Sequence, residues 1–186
     1  MAGAARNLPR VNWRRDQAPV LALDIDGVIS LFGFDQPDTP QAHTDPANKA
    51  PGDYHLVDGM LHCINSQTGP QINRLAQIYE VIWASGWEDK ANQYLPQLLG
   101  VPEFKHLTFD GRARFGTAHW KLDALDEYAG DRALAWVDDS LDGSCYEWAD
   151  AREAPTLLVP TDSAVGLTEA HVGTLEAWPR EAYATQ

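Results

Sequence analysis

The apolar run Pro19-Val20-Leu21-Ala22-Leu23 is followed at once by Asp24-Ile25-Asp26-Gly27-Val28. Two carboxylates therefore stand at the end of a stretch that reads as a buried strand, where charge is expensive unless a counter-ion or a chemical task accompanies it. One residue separates them, and a plain strand sends both side chains to one face. Like charges placed so repel unless a cation or a proton lies between them. Gly27 then lets the chain turn sharply away. Two solvated loop acids are the bland alternative, and the hydrophobic run before them argues against it.

The chain has 186 residues, 44% of them hydrophobic, and seven tryptophans, enough to close a substantial core. We expect one domain over residues 19–186, preceded by a basic arm at 1–18. Arginines 6, 10, 14 and 15 lie in that arm without an acidic residue up to Arg15. It lacks the apolar segment of a secretory signal, and an organelle-targeting peptide is the weaker alternative to a loosely packed arm. No run approaches membrane-spanning length. Cys63 and Cys145 lie far apart without a zinc-type spacing, so both read as buried thiols and the cytoplasm as the compartment. A net charge of −13 argues against broad nucleic-acid affinity. Local basic clusters are confined to the arm and to Lys105, Arg112 and Arg114, each more simply read as solvated surface.

Short apolar strands alternate with amphipathic helices, which predicts an α/β fold: a three-layer, doubly wound parallel sheet of about five strands. The strands are expected near 19–25, 81–84, 106–109, 133–137 and 155–159. Residues 33–53 read as a loop or insertion. Tyr54–Val57 and Met60–Ile64 flank Asp58-Gly59, a strong turn signal, and predict a β-hairpin placed as a flap over the carboxylates. Pro70 suits the first turn of a helix carrying Ile72, Leu75, Ala76 and Tyr79. A second helix starts near Glu88 and is expected to break near Pro96. Thr117 caps a third, with Ala118, Leu122, Leu125 and Ala129 on one face and Gly130 as its stop. Thr168 caps the last, with Leu167 and Val172 as a hydrophobic staple. Trp136 and Trp148 read as core.

In an open parallel sheet, functional groups collect outside the carboxyl ends of the strands. The first strand then delivers Asp24 and Asp26, the second Ser85 and the fourth Asp138 and Asp139. Four carboxylates in one crevice repel prohibitively without a divalent cation, and an all-oxygen set suits magnesium. Lys121, near the start of the helix before the fourth strand, can add a positive charge. Taken alone, Ser85 reads as a helix cap, Lys121 as a surface lysine, Trp87 as a wall and Asp142 as a solvated loop acid. His43, His55 and His62 lack a ligand spacing.

The ordered set of an Asp-x-Asp-Gly-Val box at Asp24 to Val28, then Ser85, Lys121 and the pair Asp138 and Asp139 resembles the haloacid dehalogenase superfamily over roughly residues 19 to 178. More narrowly, Trp83 to Trp87, Ala135 to Asp139, and Pro155 to Val159 with Gly166 to Thr168 look like the phosphatase-type domain of multifunctional ("Swiss-army-knife") RNA-repair proteins. The resemblance implies a magnesium-dependent phosphomonoester hydrolase acting through an aspartyl-phosphate. It makes Asp24 the nucleophile and Asp26 the general acid and base. Ser85, helped by backbone near Gly86, would bind a phosphoryl oxygen, and Lys121 would offset charge. The metal would be held by Asp24, the Asp26 carbonyl and Asp138, with Asp139 as a further or water-mediated ligand. An acid at position 26 favours phosphoryl transfer over carbon–halogen chemistry.

About sixty residues separate the first two motifs. A loop, a hairpin and a core helix fill most of that length, which leaves a minimal cap or none and an open crevice. A phosphorylated substrate is implied, with an RNA or DNA end suggested by the narrower resemblance and small phosphate esters as the alternative. Trp87 is then a candidate for stacking on a base. Nothing in the chain calls for a membrane or an obligatory protein partner. Two rival readings come from another class: a phospho-receiver, whose paired acids would follow the first strand and whose phosphoacceptor a later one, the reverse of the order here, and a catalytically silent phosphate-binding domain.

Overall fold

The computed structural model describes residues 18–33, 50–109 and 116–184. All of the expected arm at 1–18 except its last residue, most of the expected loop at 33–53, and Arg112 and Arg114 lie outside the described residues. Five strands form a fully parallel sheet: β1 (Val20–Leu23), β5 (Glu80–Trp83), β6 (Lys105–His106), β7 (Leu134–Asp138) and β8 (Thr156–Pro160). Their order is β6-β5-β1-β7-β8. A second, antiparallel sheet, ordered β2-β4-β3, joins β2 (Ser30–Leu31) to the hairpin β3 (Asp53–Val57) and β4 (Met60–Ile64). Asp58 and Gly59 take positive φ at the hairpin turn, as the Asp-Gly pair demands. β2 was not foreseen; at two residues it has no periodicity to read.

Helices cover both faces of the parallel sheet, because its strands are apolar on both sides. Leu21, Leu23, Val81, Trp83, Ala135 and Val137 pack with α1 (Thr68–Leu75), α2 (Lys90–Leu99) and α5 (Glu169–Ala184). Val20, Ala22, Ile82, Leu134 and Trp136 face α3 (Leu122–Ala129) and Cys145 of α4 (Gly143–Ala151). Burial of so many side chains, each contributing roughly 1.5–3 kcal/mol of transfer free energy, makes the sheet a rigid platform for whatever its strand ends carry. Trp136 is fully buried and meets Trp148 edge to face at 6.1 Å, in line with their reading as core.

Several boundaries differ from expectation. α1 ends at Leu75, one turn early, yet Tyr79 stays buried and its hydroxyl donates to the Leu175 carbonyl at 2.7 Å. α2 begins at Lys90 because Glu88 has φ 48° and spends its carboxylate on the Phe109 N–H. It also runs through Pro96 to Leu99, since burial of Ala91, Leu95 and Leu99 outweighs the one backbone bond that proline forfeits. The third strand occupies 105–106 instead of 106–109. The Leu107 N–H still donates to the Trp83 carbonyl, after which Leu107 and Phe109 leave the sheet edge and enter the core beneath it. Thr117 precedes a 3-10 turn (His119–Lys121) that leads into α3, and Gly130 ends that helix as expected. Thr168 caps α5 by accepting from the His171 N–H at 3.3 Å, with Leu167 and Val172 buried beside it.

Lys105 is committed to structure. With Tyr128 and Arg132 it surrounds Glu80, donating at 2.8 Å, while the tyrosine hydroxyl donates at 2.9 Å and the guanidinium closes the network. Burial raises the Glu80 carboxyl, but the hydrogen bonds from Lys105, Arg132 and Tyr128 outweigh it and bring the pKa to about 2. A depressed folded-state pKa contributes stability that is complete above the unfolded value and lost as pH falls through the folded one. Glu80→Gln is therefore expected to cost roughly 1–3 kcal/mol in urea denaturation at pH 7, a gap that narrows as the pH is taken from 5 towards 2.

Candidate functional site

β1 lies between β5 and β7, and the chain leaves the two neighbours in opposite directions, so a crevice opens at the carboxyl ends of these three strands. The ladder continues one residue past β1: the Asp24 N–H donates to the Val137 carbonyl at 3.0 Å and the Ala84 N–H to the Leu23 carbonyl at 2.8 Å. Asp24 thereby sits beside Asp138, with Ser85 one residue beyond Ala84. Asp24, Asp26, Ser85, Gly86, Trp87, Lys121, Asp138 and Asp139 all line one cleft of about 920 Å³. Every candidate residue picked from the sequence is thus brought to the same place.

Lys121 is the centre of charge. Its Nζ lies 2.8 Å from Asp24 Oδ2 and 2.6 Å from Asp138 Oδ2, and the residue is only 3% exposed. A surface lysine it is not. The 3-10 turn places it there, held in turn by the donation of its N–H to the Ala118 carbonyl at 3.0 Å. Burial works against the ammonium charge, but Asp24 and Asp138 outweigh it and push the lysine pKa up. Asp138 is fully buried, and its carboxyl is raised by burial and by the neighbouring Asp24 despite the ammonium. One cation serving two carboxylates leaves negative charge in excess.

Asp139 adds to that excess. Oxygens of Asp24, Asp138 and Asp139 lie within 4.8 Å of one another, a compact set able to hold a metal ion. Asp139 is oriented by Ser140 Oγ at 3.0 Å and Ser163 Oγ at 2.7 Å, and Asp138 accepts from the Ser140 N–H at 2.9 Å. Hard carboxylate oxygens are the donor set that divalent magnesium takes. Gly27 makes room for the cluster: it has φ +73°, and a Cβ there would lie 2.2 Å from Asp139 Cγ.

Asp26 stands apart from the other acids. Its Oδ2 accepts from the Trp87 indole N–H at 3.0 Å, and its Oδ1 is 3.8 Å from His62 Nδ1. Burial by the cleft walls, followed by the Asp24 charge, pushes its pKa up to about 6, against the lowering effects of Trp87 and Lys121. The side chain keeps 45% of its surface open to the cleft, so a proton on it has access to a bound molecule.

Ser85 is buried in the cleft floor and is not a helix cap, since the N-cap of α2 is Asp89. Asp142, read as a solvated loop acid, instead caps α4: it accepts from the Ser144 and Cys145 N–H groups and from the hydroxyls of Ser144 and Thr117. These bonds hold its carboxyl well below the usual range.

His62 lacks a ligand spacing in the sequence, yet the hairpin brings it into the cleft, where its ring meets Trp87 edge to face at 4.8 Å and Nδ1 shares a hydrogen bond with Ser30 Oγ at 2.9 Å. The available signal was its place on a hairpin expected to cover the acids. Ser140 and Ser163 carried no signal of their own. Among the described residues, the hairpin flanks the cleft with Val57, Met60 and Leu61, and Asp58 at its tip pairs with Lys90 of α2.

Comparison of the chain with protein-family models, curated proteins and solved structures finds no match.

Removing the buried cation leaves two uncompensated carboxylates. Lys121→Met is expected to lower unfolding stability by about 3–5 kcal/mol at neutral pH. Adding Asp138→Asn should recover part of that in the same denaturation experiment. Gly27→Ala combines a left-handed backbone with a clash on Asp139 and is expected to cost about 1–3 kcal/mol in thermal unfolding.

Proposed function

We propose that the protein is a magnesium-dependent phosphomonoester hydrolase of the haloacid dehalogenase type, acting through an aspartyl-phosphate. The observation that carries this reading is the division of labour at the end of β1. Asp24 lies in a cluster with Lys121, Asp138 and Asp139, while Asp26, two residues on, is held out of it by Trp87. A nucleophile needs the first environment and a proton carrier the second. The parallel sheet with β1 between β5 and β7 supports a Rossmann-like, doubly wound fold of the kind that superfamily uses.

Asp24, Asp138 and Asp139 would hold the metal, with the Asp26 carbonyl as the further oxygen that the resemblance supplies. Bound there, magnesium offsets the charge of carboxylate and phosphate, so that an anionic nucleophile can approach phosphorus. An Asp24 oxygen forms a bond to phosphorus as the bond to the leaving oxygen breaks. The released electron pair stays on that oxygen, which takes the Asp26 proton. Asp26, now a carboxylate, removes a proton from the water that attacks phosphorus and frees Asp24 with release of phosphate. Ser85 and the backbone near Gly86 bind a phosphoryl oxygen, and Lys121 steadies Asp24.

A cleft walled, among the described residues, by the hairpin and by residues such as Phe32, Gly116, Trp120 and Ser163 admits the end of a nucleic acid as well as a small ester. The RNA-repair resemblance favours a 3′- or 5′-phosphate end; mononucleotides and sugar phosphates are the alternative. Both cysteines are buried and free, which fits work in a reducing compartment such as the cytoplasm. No helix among the described residues is long and apolar enough to cross a membrane.

Asp24→Asn should abolish phosphate release from a generic phosphomonoester while leaving the circular dichroism spectrum unchanged, and chelating magnesium should do the same to the wild type. Wild-type turnover by the variant would dismiss Asp24 as nucleophile. Rates on 3′- and 5′-phosphorylated oligonucleotides, mononucleotides and sugar phosphates then sort the substrate classes. Uniformly feeble turnover on all of them rules against a nucleic-acid end. Phosphorylation at one equivalent without turnover points to a receiver.

A further inference from the structure

Three side chains, those of Ser30, His62 and Trp87, form a chain of contacts that ends on the Asp26 carboxyl, and the backbone closes it into a ring. Asp26 and Ser30 are tied through the backbone: they form an isolated bridge, and the Gly27 N–H donates to the Ser30 carbonyl at 2.8 Å. Ser30 Oγ shares its 2.9 Å hydrogen bond with His62 Nδ1 on β4. The His62 ring stands at 70° to the indole of Trp87, centroids 4.8 Å apart, and the indole N–H returns to Asp26 Oδ2 at 3.0 Å. Ser30 is buried and the His62 side chain is 12% exposed, so the ring is built into the wall of the cleft.

An aspartate beside a cluster of three carboxylic acids and an ammonium has a competing attraction: it could swing toward Lys121. It could equally donate its proton to a neighbouring carboxylate. The Trp87 N–H limits that freedom by occupying one lone-pair direction of Oδ2 and leaving Oδ1, 3.8 Å from His62 Nδ1, without that donor. The indole N–H can only donate, so it prefers an acceptor oxygen at that position. This sets which carboxyl oxygen is left to carry the proton.

We infer that Trp87, oriented by His62 and Ser30, is a positioning residue that fixes the Asp26 carboxyl for proton transfer to the leaving oxygen. The inference rests on the phosphatase reading above and gives Trp87 a task other than stacking on a base. Its indole N–H is committed to Asp26, and its ring is in edge-to-face contact with His62.

Leaving-group dependence tests it. kcat/KM reports the steps up to the first cleavage of phosphorus from the leaving oxygen. A dinitrophenyl phosphate expels a stable anion that needs no proton, whereas a phenylethyl phosphate expels an alkoxide that does. Trp87→Phe keeps an aromatic ring and removes the indole N–H together with the fused five-membered ring, so the comparison of the two esters, rather than the loss on either alone, isolates the missing donor. It should lower kcat/KM for the alkyl ester by about 10- to 100-fold and for the dinitrophenyl ester by less than about threefold.

His62→Ala should act in the same direction, and His62→Asn, which can keep a polar contact to Ser30, should recover part of the loss. In a readout without turnover, the Trp87 indole N–H resonance, assigned through Trp87→Phe, should move in Asp26→Ala. Equal losses on both esters, or an indole resonance indifferent to Asp26→Ala, would overturn the positioning role alone. Failure of the wild type to hydrolyse either ester with magnesium present would overturn the phosphatase reading and this inference together.

Discussion

A single buried ammonium shared by two carboxylates organises the candidate site. Taking three charged groups out of water is costly, and only mutual contact at hydrogen-bond distance offsets the cost. The contact of Lys121 with Asp24 and Asp138 therefore does more than neutralise charge. It couples the end of β1 to the end of β7 and both to the 3-10 turn before α3. Asp139 and the two serines that orient it stand on that frame. The lysine also cancels only part of the acid charge, and the remaining carboxylate oxygens are close enough together to hold a metal ion.

Much of this arrangement could be read in the residues because buried charge leaves a visible mark. Asp24 and Asp138 each follow an uninterrupted apolar run, and a parallel sheet brings such run-ends to one edge. The Asp58-Gly59 turn and the Thr168 cap were equally legible, since each rests on a local backbone requirement. Other features depend on contacts that no local pattern encodes. α4 went unseen because only Cys145 among its residues is fully buried, and its start is marked by an aspartate that looked like loop. The survival of α2 through Pro96 reflects the packing of three distant apolar side chains rather than helix propensity.

The functional side of the reading divides in the same way. The acids are marked by the apolar runs before them; Lys121, which alone reads as a surface residue, and the groups that steer the acids are not. Trp87 looked like a wall or a stacking platform, and only the three-dimensional path from β5 toward Asp26 shows where its N–H goes. His62 had no partner within the hairpin sequence that would mark it, because its neighbours Ser30 and Trp87 come from segments far apart in the chain.

β1 pairs with β7 across more than a hundred residues of intervening chain, Leu21 opposite Ala135. Contacts of such separation are entropically late, since a long loop must close before they can form. While the polypeptide emerges from the ribosome, Asp24 thus stays without Lys121, Asp138 and Asp139 until about a hundred further residues have been made. The cluster of charges around Asp24 is therefore completed only after β7 has been synthesised and has paired with β1.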